Sequence, residues 1–99
     1  LHKGCNVENA AYPQGTCAEA GAIAAMILAE GRQIKAIAVV GESTDPVTPC
    51  GGCRQKIREF AAPTTPILIG DLKQLRLRQT LAELLPHSFG PEYLLNEPQ

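Results

Sequence analysis

Two short cysteine patterns constrain this chain more than its composition does. The first is Gly15-Thr16-Cys17-Ala18-Glu19-Ala20 and the second is Thr48-Pro49-Cys50-Gly51-Gly52-Cys53-Arg54-Gln55. Each stands where a loop gives way to a helical pattern. Cys50 and Cys53 have the two-residue gap that lets adjacent sulfurs bind one metal ion. A third ligand must come from elsewhere in the chain, and Cys17 is the best candidate because it too opens a helix. The exposed N–H groups and positive dipole end of a helix start attract an anionic sulfur. Three protein ligands with a fourth position open are the donor set of a catalytic zinc site. Simpler readings exist for each part. Cys50 and Cys53 could be a redox pair, Cys17 a small buried residue, and Glu19 only the capping partner of Thr16. The combination of C-x-E and P-C-x-x-C, in that order and each opening a helix, is much rarer than its parts.

Local patterns predict the elements that carry these residues. Leu1 to Val7 reads as the end of a strand, and Asn9 to Gly15 as a loop broken by Pro13 and Gly15. Thr16 reads as an N-cap, with Glu19 completing a capping box, for a helix running to about Glu30 and ending at a C′ glycine, Gly31. Ile23, Met26 and Ile27 form its buried face. Ile34 to Val40 reads as a buried strand, and Glu42 to Pro49 as a loop. The second helix runs from near Cys50 to about Phe60, with Ile57 and Phe60 inward and Lys56, Arg58 and Glu59 in water. Pro66 to Gly70 is a third strand. Gln74 to Arg78 alternates like an edge strand. Thr80 caps a short helix over Leu81 to Leu85, stopped by Pro86, and a polar, Pro-rich tail runs from His87 to Gln99. The order β-α-β-α-β-β-α predicts an α/β fold with a mixed sheet and helices on its faces. Cys5, on the first strand, reads as a buried packing thiol, and His2 and His87 as surface residues.

Composition narrows the function classes. The chain has 99 residues, 44% hydrophobic and 19% charged, which suits one globular domain. The net charge is -1, so the basic stripe of a nucleic-acid binder is missing. The apolar run from Ala20 to Ala29 is too short to span a bilayer. No export signal precedes it, and a cytoplasmic protein is expected.

Read in series, the motifs identify a family. Gly4-Cys5-Asn6-Val7-Glu8-Asn9-Ala10, Thr16-Cys17-Ala18-Glu19 and Pro49-Cys50-Gly51-Gly52-Cys53-Arg54-Gln55 resemble cytidine deaminase of the small, homotetrameric, three-cysteine kind. Leu81-Ala82-Glu83-Leu84-Leu85-Pro86 and Phe89-Gly90-Pro91-Glu92 resemble its C-terminal end. The resemblance covers essentially the whole chain. It implies a single deaminase domain over residues 1–99 whose family-typical first helix and first strand would lie before Leu1. It also implies a three-layer α/β/α sandwich with five strands in the intact protein. The activity it implies is zinc-dependent hydrolytic deamination of free cytidine and deoxycytidine, with one zinc ion per chain and no nucleic-acid polymer or membrane as partner.

The same resemblance implies roles for single residues. Cys17, Cys50 and Cys53 would hold zinc, and Glu19 would carry protons between water, ring N3 and the leaving ammonia. Asn6 and Glu8, alternating on a strand, would hold the ribose hydroxyl; otherwise they read as the polar face of an edge strand. The backbone of Ala18 would contact the base. Phe89 would enter a neighbouring subunit's site and stack on the base, although it reads equally well as an anchor for its own tail. Tyr12 would lie at the subunit contact. One position departs from the family pattern. Three-cysteine members usually carry Arg after the catalytic Glu, and here that residue is Ala20. Arg54, beside Cys53, is the candidate for offsetting the charge of three thiolates. Other functions compatible with the residues are deamination of another aminopyrimidine nucleoside of the blasticidin type, a structural zinc module, and a thiol oxidoreductase.

Overall fold

A computed structural model of the chain describes residues 1–41 and 46–95. The expected loop from Glu42 and the end of the tail therefore lie partly outside the described residues. Residues Leu1–Gln33 and Ile34–Gln99 form two compact units.

The first unit contains one helix, α1 (Ala18–Leu28), preceded by an extended segment and a 3-10 turn at Tyr12–Gln14. The expected strand over residues 1–7 does not form. Val7 alone pairs, with Thr16, through reciprocal backbone hydrogen bonds of 2.8 Å each. That pairing also moves the helix start. Thr16 is held extended by Val7, so the N-cap is Cys17 (φ -76, ψ 153), which makes no side-chain cap bond. The third helical residue is then Ala20 rather than Glu19, and the predicted capping box has no register in which to form. The N–H of Ala18 is satisfied instead by Oδ1 of Asn6 at 2.8 Å.

The far end of α1 closes one residue earlier than expected. Glu30 N–H donates to Ile27 O and Gly31 N–H to Met26 O, the paired bonds of a Schellman motif. The left-handed position is Glu30, at φ 68, rather than Gly31. Gly31 serves a different need, since a Cβ there would stand 2.6 Å from Met26 Cγ. Gly4 fits against α1 for a similar reason: an added Cβ would lie 2.2 Å from Ala18 O. Its neighbour Cys5 is exposed, contrary to the packing role expected for it, because among the described residues the segment it occupies is paired at Val7 alone.

The second unit is a mixed three-stranded sheet in the order β1 (Ile37–Val40), β2 (Pro66–Gly70), β3 (Leu75–Thr80), with helices α2 (Gly51–Phe60), α3 (Leu81–Leu84) and α4 (Glu92–Leu95). β1 runs parallel to β2 and β3 antiparallel to it, as a helical crossover followed by a tight connection requires. β2 is central, and its Ile67 and Ile69 are fully buried together with Ile57 of α2 and Leu81 of α3. Each such side chain contributes on the order of 1.5–3 kcal/mol. β1 is shorter than expected and alternates half-buried with exposed residues, because it has a neighbour on one edge alone among the described strands. Thr80 and Glu83 complete the capping box predicted for α3: the Glu83 N–H donates to Thr80 Oγ1 and the Thr80 N–H to Glu83 Oε1.

Arg58 departs most from its predicted place. It is 6% exposed rather than in water. Its guanidinium donates to Ser88 Oγ at 2.8 Å and to Ala61 O at 3.4 Å, and it is ion-paired with Glu92. A charge can be buried when its donors are satisfied in this way.

Candidate functional site

Both cysteine patterns occupy helix starts. In the first unit Cys17 is the N-cap of α1 and Glu19 is its second helical residue. The Cys17 carbonyl takes the first intrahelical bond from Gly21 N–H at 3.3 Å. Cys17 is half-buried. Glu19 lies in the first turn, free of the capping register that would have tied its carboxylate to the backbone. Asn6 reaches the same helix end through the bond to Ala18 N–H, so the extended segment and the helix start are joined at the residues singled out from sequence. Asn6 and Glu8 flank Val7, whose backbone is pinned to Thr16, and both are exposed.

In the second unit Cys50 is the N-cap of α2 (φ -66, ψ 167) and Cys53 its third helical residue. Residues three apart share one side of a helical turn, so the C-x-x-C spacing sets both cysteines on one side of the start of α2. Cys50 is exposed and Cys53 buried. Gly51 and Gly52 would meet nothing within 4 Å if they carried a Cβ. Arg54 fixes the approach to the helix. Its Nε donates to Pro49 O at 2.7 Å, one terminal nitrogen to Leu84 O at 2.7 Å, and the other to Thr48 Oγ1 at 2.9 Å. One guanidinium thus ties the loop before Cys50 to the end of α3.

Phe89 is 57% exposed, and its ring stacks on Tyr93 with centroids 5.4 Å apart and planes at 19°. Its carbonyl accepts a bond from Gln55 Nε2 at 2.8 Å. Reading residue types along the chain missed Arg58, Ser88, Tyr93 and Glu92 as a group. A signal was present: Arg54, Ile57, Arg58 and Ala61 follow helical spacing, so Arg58 belongs on the same stripe as a core residue. The Glu92 carboxyl is held below the usual range first by its own backbone N–H and then by Arg58, with desolvation opposing.

Three thiols, one sulfur each, suit zinc, which favours soft thiolate ligands and leaves a catalytic position open. Residues 1–69 match the cytidine and deoxycytidylate deaminase zinc-binding region. The chain belongs to this zinc-dependent deaminase family. It is 42% identical over 94 residues to a cytidine deaminase of Sporosarcina psychrophila, covering 95% of this chain and 69% of that protein. It is 39% identical over 90 residues to one from Halalkalibacterium halodurans, covering 91% and 68%. The crystal structure of cytidine deaminase from Burkholderia pseudomallei has a similar fold. It superposes with a TM-score of 0.77 at 39% identity, over 87% of this chain and 69% of that one. Zinc is the cofactor.

Proposed function

We propose that this chain catalyses zinc-dependent hydrolytic deamination of cytidine and deoxycytidine, giving uridine and deoxyuridine plus ammonia, as a step of pyrimidine salvage. The observation that carries the reading is the pair of helix starts. One bears a cysteine and an unencumbered glutamate at the N-cap and second positions of α1, and the other bears two cysteines at the N-cap and third positions of α2. Cys17, Cys50 and Cys53 hold the metal, each offering one sulfur. Zinc, when bound, supplies the Lewis acidity that makes water a nucleophile near neutral pH.

The chain's own groups do the rest. Glu19 takes a proton from the attacking water as oxygen adds to C4 of the base. It passes that proton to ring N3, and then assists proton transfer to the exocyclic amine as the C4–N bond breaks and ammonia leaves. Glu19 stands two residues after Cys17, in the first turn of the helix that Cys17 opens, where it would serve a metal site without being one of its ligands. Asn6 spends its carbonyl oxygen on Ala18 N–H, which orients its amide nitrogen, a double donor, for a ribose hydroxyl. Glu8 accepts from the same sugar. The Ala18 backbone meets the base. Phe89 lies against the base in a neighbouring subunit's site, in a homotetramer whose contacts include Tyr12. Its exposure supports such a role. Arg54 offsets thiolate charge in place of the missing Arg at Ala20. Thiols that must stay reduced to bind zinc suit the cytoplasm, and no helix among the described residues is long and apolar enough to cross a membrane.

The test is the loss of cytidine ultraviolet absorbance catalysed by the intact protein, with and without a zinc chelator. Glu19→Gln should retain stoichiometric zinc and lose turnover by about 10²–10⁴-fold. Undiminished turnover in that variant would reduce Glu19 to a structural residue and leave a zinc module without this chemistry.

A further inference from the structure

We infer that Arg58 and Gln55 of α2 are positioning residues for Phe89, locking its segment onto the helix that carries Cys50 and Cys53. The inference rests on the proposed role of Phe89 at a neighbouring site and adds what holds that ring in place.

Phe89 itself is poorly anchored by its side chain. More than half of it is exposed, and Tyr93, the ring it stacks on, is 56% exposed as well. Ordering such a ring against a ligand costs entropy unless the backbone beneath it is already fixed. Here the Phe89 carbonyl and the residues on both sides of it are held by α2. Before Phe89, Ser88 Oγ accepts from Arg58 Nε at 2.8 Å. At Phe89, the carbonyl accepts from Gln55 Nε2 at 2.8 Å. After it, Gly90 is buried against the face of the Arg58 guanidinium, where a Cβ would stand 2.5 Å from Cζ. Beyond that, Glu92 closes the ion pair with the same guanidinium.

Core packing alone does not account for this arrangement. Burying a guanidinium is costly unless its donors are met, and an apolar residue facing Ala61 would fill the space without that cost. Besides its bond to Ala61 O, Arg58 directs donors to Ser88 and Glu92, and Gln55, one turn earlier and exposed, adds a bond to Phe89 itself. Residues 55 and 58 lie on the helix whose first turn holds Cys50 and Cys53. Both contacts therefore refer the position of Phe89 to the element that bears metal ligands.

The test uses the intact enzyme, with steady-state kinetics on cytidine, zinc content and sedimentation velocity. Gln55→Ala, Gly90→Ala, Glu92→Gln and Arg58→Lys are each made alone and on a Phe89→Ala background. Alone, each should raise KM roughly three- to tenfold while kcat changes less than about twofold, with zinc content and assembly unchanged. On the Phe89→Ala background the same changes should add little, because their effect is exerted through the ring. Should Arg58→Lys fail to fold, the exposed Gln55→Ala decides. If Phe89→Ala raises KM but the Gln55, Gly90 and Glu92 variants do not, the latch is structural only and the inference falls. The same follows if their effects persist undiminished without Phe89. If Phe89→Ala leaves KM unchanged, the proposed role of Phe89 fails, and this inference with it.

Discussion

Arg54 shows how much architecture a single residue can carry, and its proposed electrostatic role can be tested apart from it. Its three hydrogen bonds join Thr48 and Pro49 to Leu84, and its charge stands beside the helix start that carries Cys50 and Cys53. The two contributions separate by substitution. Arg54→Gln should lower both thermal stability and zinc affinity, since carbonyls lose charged donors worth about 1.5–3 kcal/mol each. Arg54→Lys keeps the charge but cannot span the three acceptors with one planar fork. Calorimetric zinc titration should find affinity restored in Arg54→Lys while the unfolding midpoint stays low. Equal zinc affinity in wild type and Arg54→Gln, with an unchanged pH–rate profile, would remove Arg54 from charge compensation.

At the scale of elements, the β2–β3 connection shows how local chemistry fixes a hairpin. Asp71 Oδ1 accepts from the N–H groups of Lys73 and Gln74 at 2.8 and 2.9 Å, and Asp71 N–H donates to Gln74 O at 3.0 Å. Gly70 permits the close return of the chain, since a Cβ there would lie 2.6 Å from Gln74 O. The sheet register shifts at the same place, between Ile69 and Gly70. The Lys73 and Gln74 backbone bonds, more than nearby Arg76, hold the Asp71 carboxyl below the ordinary aspartate value of 3.8. A depressed folded-state value means that the turn is stabilised at pH above the unfolded value and loses that contribution as pH falls through the folded one. NMR amide shifts of Lys73 and Gln74 should therefore titrate with a midpoint under 3.8. Asp71→Asn, which keeps the acceptor but not the charge, should abolish the titration. A midpoint at or above that value would refute the assignment.

At the scale of the whole molecule, the proposed site is shared between chains, and that makes a sharp prediction. Glu19→Gln chains lack the proton carrier, and Phe89→Ala chains lack the ring. When the two are co-expressed, some sites combine an intact Glu19 from one chain with an intact Phe89 from the other. Mixed assemblies should regain a fraction of turnover with the KM of the wild type. If the mixture shows only the raised KM of Phe89→Ala, the ring serves its own chain or none, and the sharing of sites fails.

Much of this protein is legible one residue at a time. Helix α2 starts at its predicted cysteine, β2 lies where an apolar run meets flanking Pro66 and Gly70, and the Thr80–Glu83 box caps α3, because spacing, capping and turn chemistry act over a few residues. The family is legible for the same reason: residue identities and gaps within the cysteine motifs carry the resemblance. What failed depended on partners distant in sequence. The Thr16 cap was displaced by pairing with Val7, the strand over residues 1–7 had no neighbour beyond that bridge among the described residues, and Cys5 was exposed as a result. Arg58 was placed in water because helical position alone cannot reveal that Ser88 and Glu92, about thirty residues on, satisfy its donors. Sequence by itself determined the cysteine patterns and the helices that bear them. Only tertiary structure decided which polar groups are spent on holding those elements, since burial of a charge depends on partners that the local chain does not contain.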